Sequence, residues 1–159
     1  MQEKEYLELL IQSLKKKLLL LNRITVLNQD QRKILQDEHA EPDALDINVR
    51  DKDDLVRQIV ALDAGFNEVY EHIKDLMERD HSAYEPQLGE MREMIRRIME
   101  KDASVRADEQ RNYKLAQQKF ADVKRQVREI KASQKMVNSY YQSMMKPGHL
   151  EPQFMDNKK

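Results

Sequence analysis

"LVRQIVALDAGFNEVYEHIKDLM", residues 55–77, decides the fold. Leu55, Ile59, Leu62, Phe66, Val69, Ile73 and Leu76 recur at alternating steps of four and three. A seam of that period stays turned toward one partner as two helices wind about each other. These seven residues are therefore read as the core seam of a helix running from about residue 48 to 79. Gly65 lies inside it, where glycine costs about 1 kcal/mol relative to alanine. Its place beside Phe66 suggests a close approach by a neighbouring helix.

Working outward toward the N-terminus, "HAEPDALD" (39–46) sets Pro42 among closely spaced acids and reads as a loop. Before it, Leu7, Leu10, Leu14, Leu21 and Ile24 follow a three–four spacing interrupted at Lys17, and Ile11, Leu18, Leu20 and Leu27 widen the stripe. A helix over residues 3–37 with so broad an apolar face touches two neighbours. It matches the second helix in length, at about 50 Å each, so the two suit an antiparallel hairpin.

Toward the C-terminus, "DHSAYEP" (80–86) stops one helix and starts another. Ser82 and Glu85 have capping-box spacing, and Pro86 belongs in a first helical turn. A third helix is predicted over 83–145. Its seam runs through Leu88, Met91, Ile95, Ile98, Asp102 and Val105, then Tyr113, Ala116, Phe120, Val123, Val127, Ile130, Val137, Tyr141 and Met144. Between Val105 and Tyr113 the spacing slips to four–four, so "EKDASVRADEQRN" (100–112) is the weak stretch, where a kink can form. At roughly 90 Å this helix outruns partners of about 50 Å. Partners give out near Phe120, yet the apolar seam continues. A bare apolar stripe on an isolated helix is marginal in water and usually marks an interface. A return of Val123–Met144 onto the first helix, through a kink near Ser104, would instead close a four-helix bundle.

The fold expected is all-α: an antiparallel bundle of three long helices with coiled-coil-like packing, the third the longest. One domain spans 1–146. Residues 147–159, with Pro147, Gly148 and Pro152, follow as a flexible tail.

Composition agrees. Among 159 residues, 36% are charged, with only 3 Gly and 4 Pro and no Trp, which suits long helices better than sheets. The net charge of −1 gives the whole chain no field to attract nucleic acid. With no Cys there is no disulfide or thiolate chemistry. The longest apolar run, Leu18–Leu21, is far too short to insert in a membrane, and the acidic opening "MQEKEYLELL" is unlike a cleaved signal peptide. A cytoplasmic location is the expectation.

No constellation points to catalysis, a metal or a cofactor. There is no glycine-rich phosphate loop and no nucleophile elbow. His39, His72, His81 and His149 are scattered among polar neighbours. Glu78 and His81 make a single Glu-x-x-His, whereas a di-iron bundle needs two such motifs and two further glutamates. Lys15–Lys17 and Arg96-Arg97 are balanced by nearby acids and read as solvated faces.

Two stretches resemble a known family. "DKDDLVRQIVALDAGFNEVY" (51–70) is similar to the second-helix signature of the FlgN family of flagellar export chaperones, with Lys52, Leu55, Ile59 and Leu62 at matching positions. The ending, Tyr140-Tyr141, a Pro/Gly break and "FMDNKK", resembles the tails of family members from Gram-positive bacteria. The resemblance implies a cytoplasmic chaperone. It would bind the terminal helices of hook-associated (hook–filament junction) proteins, prevent premature assembly and bring them to the flagellar export gate. It implies that substrate proteins bind toward the C-terminus, on Phe120, Val123, Val127, Ile130, Val137, Tyr140, Tyr141, Met144 and Met145. It also assigns gate docking to Tyr140, Tyr141 and Phe154, although the "Leu-Tyr-Gly" context of some members is absent. The alternative is a structural coiled-coil scaffold or tether that self-associates, as a weak homodimer, through the C-terminal half of the third helix.

Overall fold

α1 (Glu3–Gln36) and α2 (Ala44–Arg79) have nearly equal lengths, 34 and 36 residues, and α3 (Glu85–Met145) has 61. A single 3-10 turn, Ser82–Tyr84, precedes α3. The computed structural model describes residues 3–79 and 82–145, apart from the side chains at 76, 77 and 145. Among the described residues there is no strand, so the all-α reading holds. The chain divides into two compact units, Met1–Leu115 and Ala116–Lys159.

Local chemistry sets the helix ends. α2 starts four residues before the expected position, with Asp43 at its N-cap: the Asp43 carbonyl accepts the first helical bond, from the Ile47 N–H at 3.0 Å. Upstream, the His39 N–H donates to the Asp37 carboxylate at 2.9 Å, a local bond that turns the chain out of α1. Glu85, expected in a capping box, forms an ion pair with Arg92 at 2.7 Å.

In the first unit the cross-links fix the directions. Tyr6 stacks on His72, Lys17 pairs with Asp63 at 2.8 Å, and Asn48 donates to the Leu27 carbonyl at 2.8 Å, so α2 runs antiparallel to α1. Lys15 pairs with Glu90 at 2.9 Å, and Asn112 donates to the Asn28 carbonyl at 2.9 Å, so α3 runs parallel to α1. The hairpin and the returning third helix share one core, and α1 supplies more of it than either neighbour. Leu7, Leu10, Ile11, Leu14, Leu20, Leu21, Ile24 and Leu35 are all buried on α1. This is the two-sided stripe that the sequence predicts.

α2 is less deeply set than its regular seam suggests. Leu55 and Ile73 are buried, while Ile59, Leu62, Phe66 and Val69 pack against the core half-buried. Phe66 stacks on Tyr70, with ring centroids 6.2 Å apart. Leu76 lies outside the described side chains. Gly65 is not a site of close approach: a Cβ built there meets nothing within 4 Å. Gly65→Ala should therefore stabilise the protein by about 1 kcal/mol through helix propensity alone. Urea melts followed by helical circular dichroism check this, and a loss of stability would reveal a contact at that position.

α3 corrects the expected seam. Leu88, Met91, Met94, Ile98, Val105 and Asn112 are buried, whereas Ile95 and Tyr113 are exposed. Met91, Ile98, Val105 and Asn112 follow an unbroken seven-residue repeat. The four–four slip therefore falls between Asn112 and Phe120 instead of between Val105 and Tyr113. α3 is one unbroken α-helix through residues 102–112 and past Ser104. On its outer surface Arg96 and Arg97 hydrogen-bond Glu93 and hold its carboxyl down at about 2. These groups are exposed, and such pairs contribute little to stability.

Candidate partner-docking face

Two features set the surfaces on which a function can rest: a polar layer inside the first unit and an apolar seam on the second. The layer forms where all three heptad patterns turn polar. On α1 the repeat Leu7, Leu14, Leu21 continues to Asn28, and Leu10, Lys17, Ile24 continues to Gln31. On α2 the seam extends back from Leu55 to Asn48, and from Ile59 to Lys52. On α3 it ends at Asn112. Asn28, Gln31, Asn48 and Asn112 are buried.

Their bonds join the three helices. The Gln31 Oε1 accepts from Asn112 at 3.0 Å and from Lys52 Nζ at 3.4 Å. Lys52 also pairs with Glu109 at 2.6 Å. Not every group is matched. The side-chain amide of Asn28, and the oxygens of Asn48 and Asn112, have no hydrogen-bond partner among the described residues. Such groups carry a desolvation cost.

Lys52, one of the residues that carry the family resemblance, is thus a structural element of this layer. Its side chain is only 11% exposed, so it does not offer its charge to a partner. Lys52→Met should cost about 1–2 kcal/mol, because it removes a donor from buried Gln31, while Glu109, half exposed, turns to water. A double-mutant cycle with Glu109→Gln tests the pair. Coupling below about 0.3 kcal/mol would make it a surface contact of no consequence.

In the second unit, residues 116–145 are the rest of α3, and no described side chain there is buried. Phe120, Val123, Val127, Ile130, Val137, Tyr140, Tyr141 and Met144 are all between 44% and 62% exposed. All but Tyr140 continue one three–four repeat, interrupted only at Gln134. Helical spacing places that repeat on a single face. Tyr140 stands at the edge of the face and meets Tyr141 edge-on, with centroids 6.0 Å apart and planes at 72°. The Met145 side chain and Phe154 lie outside the described residues.

Other candidates have little to offer. Among the described residues no group of three or more His, Asp and Glu could hold a metal ion. His72 is occupied with Tyr6, and His81 and His149 lie outside the described residues. An open groove by Ser13, Phe66, Asn67 and Met99 is crossed by the Lys17–Asp63 pair. Among the described residues, no helix is long and apolar enough to cross a membrane. The chain matches no family model, no curated protein and no solved structure.

Proposed function

We propose that the protein is a holding chaperone of flagellar export. In this reading it binds the terminal helices of hook-associated proteins in the cytoplasm, keeps them from assembling and presents them to the export gate. The observation that carries the proposal is the exposed seam from Phe120 to Met144. A helix with such a stripe gains by accepting a second amphipathic helix, which buries apolar side chains on both partners. Met144 suits that surface, since a thioether adapts to irregular neighbours. Holding and presenting need neither nucleotide nor metal.

The identity of the client comes from the resemblance of residues 51–70 and of the ending to the FlgN family. Tyr140, Tyr141 and Phe154 are the proposed gate contacts in the same reading. Two of them share the C-terminal end of α3 with the client face, so holding and delivery would draw on neighbouring residues.

The test is recovery of the tagged full chain from its native cytosol, followed by identification of what accompanies it. Hook-associated proteins at near-stoichiometric amounts are the expected result. An eluate holding only further copies of the chain would overturn the proposal in favour of a scaffold.

A further inference from the structure

We propose that the seam on residues 116–145 receives an acidic amphipathic helix. Its carboxylates would lie along the edge facing Lys124 and Lys131, and a polar side chain would sit opposite Gln134. The inference rests on the holding role proposed above and specifies the chemistry of its client.

The charge of this segment differs from that of the chain. Residues 116–145 contain six basic residues against two acids, Asp122 and Glu129, whereas the whole protein carries a net charge of −1. The positions of the charges matter more than their number. With Phe120, Val127, Gln134 and Tyr141 as one heptad position and Val123, Ile130 and Val137 as the other, Lys124 and Lys131 fall on one flank of the seam. Both are exposed. Gln126 and Ser133 fall on the opposite flank, and neither flank holds a carboxylate. Asp122 and Glu129 point farther from the seam, and Asp122 is already paired with Arg125 at 3.3 Å. Flanking charges set partner choice in helix pairs. Gln134 interrupts the apolar repeat at a central position, where a polar residue selects register and wants a polar counterpart.

These features discriminate among occupants. An antiparallel second copy would bring the two lysine edges together, and a parallel one would set Lys124 against Lys119 and Lys131 against Gln126; neither gives these lysines a carboxylate. An anionic membrane would suit the net charge, but interfacial helices offer a broad apolar face. This seam is a narrow two-position stripe with Gln134 within it, the shape that one helix fills. From Phe120 to Met144 the seam extends for about 36 Å, which calls for a client helix of about 25 residues.

The experiment uses the full chain and two synthetic helices of that length with the same apolar seam, edged by Glu in one and by Lys in the other. Calorimetry at low salt should find the Glu-edged helix bound roughly tenfold tighter, a preference that K124E/K131E reverses and high salt erodes. Equal affinities would overturn the assignment. So would binding to vesicles rich in phosphatidylglycerol without binding to the Glu-edged helix, or a stable homodimer that ignores both peptides. The two proposals fail separately. If hook-associated proteins bind wild type and K124E/K131E alike, the edge chemistry is wrong and the holding role stands. If the Glu-edged helix is preferred but no hook-associated protein is recovered from cytosol, the holding role falls and the edge assignment stands.

Discussion

Leu10→Ala should reduce the unfolding free energy by about 3–5 kcal/mol, the largest stability effect expected from one residue here. Leu10 is completely buried, and Leu7 and Ile73 are nearly so. It lies on α1, the helix that packs against both neighbours in the first unit, so the cavity left by truncation is walled from two sides and cannot collapse easily. A domain of this size has only about 5–15 kcal/mol of stability in total, so the variant should melt far earlier than wild type. Leu9→Ala is the matched control: Leu9 is 46% exposed, and its truncation should change stability by less than about 1 kcal/mol. Urea melts of both variants make the comparison. A loss at Leu10 no larger than at Leu9 would mean that α1 is not the shared helix.

The second large effect is on binding. Val137→Asp with Met144→Asp should leave helicity and melting almost unchanged, because both side chains are about half exposed and the charges enter a face that is wet in the free protein. Binding of a hook-associated protein's terminal helix should nevertheless fall by at least about a hundredfold, since the complex would bury two unpaired carboxylates. Thermal melts and calorimetric titration of the same preparation separate the outcomes. Unfolding of the double variant would show that the seam is internal core. Wild-type affinity in a folded variant would move the client's docking site elsewhere.

Much of the architecture was legible because apolar spacing is the main record a helix leaves in sequence. The broad stripe on α1 announced two neighbours, and Leu55 to Ile73 announced a seam. What could not be read from hydrophobicity was the polar continuation of those same heptads. Asn28, Gln31, Asn48 and Asn112 are as buried as many of the leucines around them. A search for apolar residues passes over Asn112 and settles on Tyr113, one position away and exposed. The signal was nonetheless present: extending each repeat by one more heptad, whatever residue stands there, leads to the polar layer. Met94 was missed for another reason. It stands three residues after Met91, and Ile95 four, so spacing alone leaves both open. The early start of α2 was legible in Asp43, a favoured capping residue immediately after Pro42. On the candidate site, spacing identified the stripe from Phe120 onward, but only the accessible areas of its side chains say that the described residues leave it uncovered.

The polar layer also acts as a stop against sliding. Met91, Ile98 and Val105 are interchangeable enough that α3 could shift by one heptad along α1 and still bury apolar side chains. A shift in one direction would set Val105 against Asn28 and Gln31, leaving Gln31 without the Asn112 donor; the other would bring Lys119 to Gln31, where Lys52 already stands. Both are costly, so only one alignment satisfies the layer, and a pairing that spans 84 residues of sequence is selected by a single amide. Asn112→Leu should remove that selection. The variant should stay helical and lose about 1–3 kcal/mol with the Gln31 bond, and should divide into populations displaced by one heptad. These would appear as doubled amide resonances for the residues around Gln31 and Val105. A single set of resonances would mean that the apolar side chains alone hold the alignment.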